Sequence, residues 1–137
     1  MLRLVRFIKP FAGYILVATI IFILVMSSVP SIPTLKIKAG ESTIRLDYLI
    51  HFCIYGFLST ISFLKFSDSE FRLPGKKTLI LILCLAAFAF VDEYHQKFIP
   101  GRAYNIIDFV SNVSGIAGGL VFIVIVSGMV RRKENLP

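Results

Sequence analysis

Four long apolar runs constrain this chain more than any other feature. They cover about residues 11–29, 47–66, 77–98 and 108–130. A helix needs about 20 mostly apolar residues to cross a bilayer, and each run reaches roughly that length. Bulk composition agrees. The hydrophobic fraction is 56% and the charged fraction 17%, with a mean hydropathy of +0.81. Soluble domains run nearer 45–50% apolar and about 25% charged. The expectation is an all-α chain, a bundle of four transmembrane helices forming one domain over residues 1–137.

A net charge of +7 would suit a nucleic-acid binder, but the apolar runs exclude that class. Basic membrane proteins gather Lys and Arg on their cytoplasmic side. With the N-terminus inside, ten of the 15 Lys and Arg residues fall on the inner side. Five of the eight acids then lie outside: Glu41, Asp47, Asp92, Glu93 and Asp108. Both termini are therefore expected in the cytoplasm. Arg3, Arg6 and Lys9 precede the first run, as in a signal peptide. Its apolar core, residues 11–26, exceeds the 7–15 residues usual for that role, so a retained helix is expected, with cleavage after Ser28 as the alternative. Cys53 and Cys84 sit inside apolar runs without paired spacing, which reads as packing rather than a disulfide or metal framework.

The connections are short. Between the first two runs, Leu35 and Ile37 alternate with Lys36 and Lys38, and Ile44 and Leu46 with Arg45. A hairpin turning at Ala39-Gly40-Glu41 fits this pattern; so does a structureless link, because a lone hairpin is marginal in water. Residues 67–76 form a polar loop with a Pro-Gly turn, and a third link surrounds Pro100-Gly101.

Polar residues recur where three of the helices meet one membrane side. Asp47, His51 and Tyr55 lie at i, i+4 and i+8, hence on one face. The third helix ends in Asp92, Glu93, His95 and Gln96, with Glu93 and His95 flanking the Asp92–Gln96 face. The fourth begins with Asp108 and Asn112, four apart, and Asp108 suits a helix cap. Ser111, Gly115 and Gly119 repeat at four-residue spacing, as do Ser114 and Gly118, a pattern that lets helices approach closely in lipid. A charge at the bilayer centre costs about 2.5–3.5 kcal/mol. The stripes should therefore face inward and share a polar pocket in the outer half of the bundle. Arg102, just after Pro100-Gly101, is the expected counterion, bridging two of Asp47, Asp92, Glu93 and Asp108.

Asp47, His51 and Tyr55, followed by D-E-x-H-Q-x-F-x-P-G-R over residues 92–102 and D-x-x-x-N-x-x-G over 108–115, resemble the VanZ-like family. The likeness covers about residues 47–119, and the Ser27-Ser28-Val29-Pro30 end of the first helix also fits. The resemblance implies a small multi-pass protein of the bacterial cytoplasmic membrane. It also implies a link to resistance against the glycopeptide teicoplanin, the association of the founding member.

Three functional classes stay open beside a purely structural one, in which the cluster only packs the bundle. The first is a site binding or modifying a membrane lipid or lipid-linked envelope precursor. Its residues would be Asp47, His51, Tyr55, Asp92, Glu93, Gln96, Arg102, Asp108 and Asn112, with Arg102 and Lys97 on phosphate. The second is an enzyme with Asp92 or Glu93 as base and His51 or His95 as acid-base partner. No GxSxG, HExxH or P-loop supports a known chemistry. His51, His95 and a carboxylate have metal-ligand chemistry, but no spacing fixes a site, and neither metal nor cofactor is expected. The third is ion transport, which the dry inner halves of the helices argue against. The oligomeric state has no signature in the sequence.

Overall fold

The computed structural model describes residues 2–30, 36–39 and 42–134. In chain order come α1 (Leu2–Ile8), a 3-10 turn (Lys9–Phe11), α2 (Ala12–Ser28), β1 (Lys36–Ala39) and β2 (Ser42–Arg45). Then follow α3 (Leu46–Phe66), α4 (Gly75–Gln96) and α5 (Ile106–Glu134). Four segments are long and apolar enough to cross a membrane: Leu4–Ser28, Leu46–Phe66, Gly75–Gln96 and Ile106–Val130. Large apolar side chains such as Val17, Leu83, Val91, Phe122 and Ile125 point outward. A surface that apolar all round is what lipid, not water, selects. The protein has the form of a multi-pass membrane protein.

The first span starts earlier than its apolar run, because α1 and the 3-10 turn lead into α2. Pro10 lies in that turn, where its missing N–H costs no hydrogen bond. The link to the second span contains a pair of strands. β1 and β2 pair antiparallel, Lys36 opposite Arg45 and Ala39 opposite Ser42; the expected turn residues Gly40 and Glu41 lie outside the described residues.

The centre of the bundle is the contact between α3 and α5, and glycines permit it. A Cβ on Gly115 would overlap the Phe52 carbonyl, and one on Gly119 would overlap the Gly56 carbonyl and the Ser59 hydroxyl. Where the backbones touch, hydroxyls cross between them. Ser59 Oγ donates to the Ile116 carbonyl at 3.0 Å and Thr60 Oγ1 to the Gly119 carbonyl at 3.2 Å. Such contacts replace the hydrophobic drive that lipid removes.

At one end, Lys9 ties the first span to the α3–α4 loop. Its ammonium donates to the Ser67 and Asp68 carbonyls and lies 4.5 Å from the Phe71 ring centre. Phe71 is buried with a φ of 57°, a left-handed conformation uncommon for a bulky residue. At the opposite end, α4 stops at Gln96, two residues sooner than its apolar run. Phe98 and Ile99 donate back to the His95 and Gln96 carbonyls, and Gly101 takes a φ of 77° to complete the reversal.

Candidate functional site

The polar ends of α3, α4 and α5 meet at that second end, beside the last turn of α2. A cavity of about 600 Å³ lies among them. Its polar wall includes Arg45, Asp47, His51, Asp92, Arg102 and Asp108; Phe22, Ile23, Ile50 and Ile54 form an apolar wall.

The polar residues form hydrogen-bonded links from helix to helix. Tyr55 of α3 donates to Asp92 Oδ2 of α4 at 2.8 Å, inside the bundle. His51 Nδ1 lies 2.9 Å from Asn112 Oδ1, joining α3 to α5. An amide oxygen can only accept, so this contact assigns the proton to Nδ1 and leaves the lone pair on Nε2. Glu93 is fully buried; its Oε1 accepts the Asn105 backbone N–H at 3.0 Å and its Oε2 the Gln96 amide at 3.4 Å. Asn105 Nδ2 donates to Asp108 Oδ2 at 2.9 Å.

Asn105 has no place among the residues expected from sequence, yet it organises this region. It precedes the first helical residue of α5, and its Oδ1 accepts the Ile107 N–H at 3.1 Å. That is an N-cap. The expected cap, Asp108, sits instead in the first turn and faces the cluster. An Asn followed by an apolar run and an acid three residues later was the available signal.

Arg102 departs from expectation more sharply. Among the described residues it pairs with no carboxylate. Nε donates to the Val29 carbonyl at 3.0 Å, Nη2 to the Met26 carbonyl at 2.9 Å and Nη1 to Gln96 Oε1 at 2.8 Å. The last carbonyls of a helix lack intrahelical donors and carry the negative end of its dipole. They hold the guanidinium, while Glu93 is satisfied by neutral donors. The ion pair at the site is Arg45 with Asp47, Nη2 to Oδ2 at 2.8 Å. The Asp47 carboxylate raises Arg45 above its ordinary pKa by that hydrogen bond, so it stays charged.

His95 is exposed and does not line the cavity. Asp92, Glu93 and Gln96 are all buried, so α4 turns its Glu93 flank inward and its His95 flank out. Lys97 does not line the cavity either; its ammonium lies 5.5 Å from the Tyr94 ring centre. Asp47, His51, Tyr55, Asp92, Gln96, Arg102 and Asp108 do line it. Glu93 and Asn112, both fully buried, stand behind that wall.

Two features exceed what packing requires. Asp92 Oδ1, Asp108 Oδ1 and Asn112 Nδ2 are buried without a hydrogen-bond partner among the described residues. Buried polar atoms are normally paired, and leaving one unpaired costs about 1–3 kcal/mol. Second, His51, Glu93 and Asp108 each offer a metal-ligand atom, all within 4.8 Å of one another.

A second, apolar groove of about 490 Å³ runs between α2 and α3, lined by Ile15, Ala18, Thr19, Phe22, Cys53, Ile54 and Phe57. Phe22 and Ile54 border both spaces.

The VanZ/LLP1 family model matches residues 11–127, which is most of the chain and includes every residue of this site. Neither the curated proteins nor the solved structures gave a match.

Proposed function

This chain belongs to the VanZ/LLP1 family, and on that footing we propose that its cleft binds the anionic headgroup of an envelope lipid or lipid-linked wall precursor. The observation that carries this reading is the shared border of cavity and groove. Phe22 and Ile54 line both the cleft, with its polar and apolar walls, and the apolar groove between two membrane-crossing helices. A headgroup in the cleft would have its hydrocarbon chain within reach of that groove. The two guanidiniums supply the charge. Each has five N–H donors; Arg102 commits three of them and Arg45 two, both to Asp47. The remainder suit phosphate oxygens.

Orientation follows the charge asymmetry. The ten-to-five split of Lys and Arg between the two sides favours both termini in the cytoplasm; in that orientation the cleft opens to the outer leaflet of a bacterial cytoplasmic membrane. If the ligand is a wall precursor, the link to teicoplanin resistance follows, and antibiotic susceptibility on expression and deletion measures it.

A second reading has the cleft modify its ligand. It is favoured by Asp92 Oδ1, a carboxylate oxygen buried at the cleft wall without a hydrogen-bond partner among the described residues, and so placed to take a proton.

The test is the lipid carried through purification in mild detergent. Wild-type protein retains one phosphate-containing lipid class in near-stoichiometric amount. Arg45→Gln and Ile54→Trp lose it while keeping their thermal stability. Equal retention by all three would sink the proposal, and loss only with unfolding would return the cluster to a packing role.

A further inference from the structure

We infer that His51, Glu93 and Asp108 form a binding site for a divalent transition metal ion of the zinc type. The inference is independent of the lipid reading, because it concerns the ion alone.

Three observations support it together. The first is the donor set: one imidazole and two carboxylates from three different helices, with ligand atoms all within 4.8 Å. Imidazole nitrogen and carboxylate oxygen are both zinc ligands, and open zinc sites with three protein ligands combine them, as in two histidines with one glutamate; here the balance is one histidine and two carboxylates. Donor atoms about such an ion stand about 3.3 Å apart, given metal–ligand lengths near 2.0–2.1 Å. Small side-chain rotations close the difference.

The second is an oxygen with nothing else to do. Asp108 is 7% exposed, and its Oδ1 has no hydrogen-bond partner among the described residues. Its other oxygen is held by Asn105 Nδ2 at 2.9 Å. The carboxylate is thus oriented through one oxygen and free at the other. Glu93 is likewise fixed, by the Asn105 N–H and the Gln96 amide.

The third is the histidine. With Nδ1 against Asn112 Oδ1 at 2.9 Å, Nε2 keeps its lone pair. A ligating imidazole is characteristically steered by a hydrogen bond at its other nitrogen, and Asn112 occupies that place.

Charge favours the same conclusion. Among the described residues no ion pair reaches Glu93 or Asp108. Arg45 is paired with Asp47, and Arg102 is held by carbonyls and Gln96. Two buried carboxylates without a cation are unfavourable in a bilayer, and a divalent ion neutralises both. His51 and Asp108 also line the cleft. Open coordination positions on the ion would therefore face the cleft, for water or a phosphate oxygen.

The test uses the full chain in detergent, stripped with chelator and then titrated with Zn²⁺ or Co²⁺. The wild type takes up one equivalent, its melting temperature rises with the metal, and bound Co²⁺ gives visible absorption of a four- or five-coordinate site. Asp108→Asn and Glu93→Gln keep the shape and the Asn105 contacts, so their metal-free melting should stay near wild type while the uptake falls at least tenfold. His51→Ala should behave the same way in uptake, and His95→Ala, outside the cleft, should bind as wild type does. Failure of the wild type to bind would overturn the inference. So would uptake that survives in Asp108→Asn and Glu93→Gln, which would indicate an adventitious ion only. If either variant unfolds, the Co²⁺ spectrum of wild type against His51→Ala decides: an unchanged spectrum overturns the site.

Discussion

Tyr55 and Asp92 share a 2.8 Å hydrogen bond in the bundle interior, joining α3 to α4 beside the cleft. Tyr55→Phe removes the hydroxyl and leaves both Asp92 oxygens without a partner among the described residues. The expected loss is about 1–3 kcal/mol of stability, the cost of an unsatisfied buried acceptor. Unfolding in a mixed-micelle SDS titration measures it. Asp92→Leu on the Tyr55→Phe background should recover part of the loss, since the orphaned acceptor is gone.

The α3–α5 seam depends on missing side chains. Gly119→Val and Gly115→Val drive new atoms into the Gly56 and Phe52 carbonyls. Overpacking costs about 1–3 kcal/mol or more where backbone cannot yield. Gly128→Ala meets nothing within 4 Å and should stay within about 0.5 kcal/mol of wild type. The same titration on the three variants separates close packing from a general effect of losing glycine.

Arg102 fastens the end of α2 to the α4–α5 turn through the Met26 and Val29 carbonyls. Arg102→Gln should cost about 1.5–3 kcal/mol in all, because water replaces the two exposed contacts to Val29 and Met26. It should also raise amide exchange at the end of α2 while leaving the α3–α5 seam protected. Uniform loosening of the bundle would contradict this local role.

The α3–α4 loop provides a pH test. Asp68 accepts the Arg72 and Glu70 backbone N–H groups, at 2.8 and 2.9 Å, and those bonds hold its carboxyl below the usual value. A lowered folded pKa stabilises above the unfolded pKa, near 3.9. That contribution fades as pH falls through the lowered value. Proteolysis of the loop should therefore be slower in wild type than in Asp68→Asn at pH 6, with the two rates converging in strong acid. A constant ratio across that range would contradict the assignment.

Length and hydropathy made the four spans legible in the sequence, and period-four spacing made the α3 and α5 stripes legible. The Asp92–Gln96 face of α4 was legible as well, but not which of its two flanks turns inward with it. That helix is apolar nearly all round, so its rotation is set by packing, and only the fold distinguishes the Glu93 flank from the His95 flank. The partners of Arg102 were hidden for a related reason: backbone carbonyls at a helix end are strong acceptors but leave no mark in the sequence. Asn105 did leave a mark, as a cap residue, and that cap carries the link between Glu93 and Asp108.

In the proposed function a lipid headgroup occupies the cleft with its chain in the α2–α3 groove. The most direct measurement is photocrosslinking in native membranes from a benzoylphenylalanine at Ile54, which borders both spaces. A second probe at the exposed Val124 serves as the bulk-lipid reference. One phosphate-containing lipid class should be strongly enriched at Ile54 relative to Val124, and lost when Arg45→Gln is added. The same lipid mixture at both positions would contradict it.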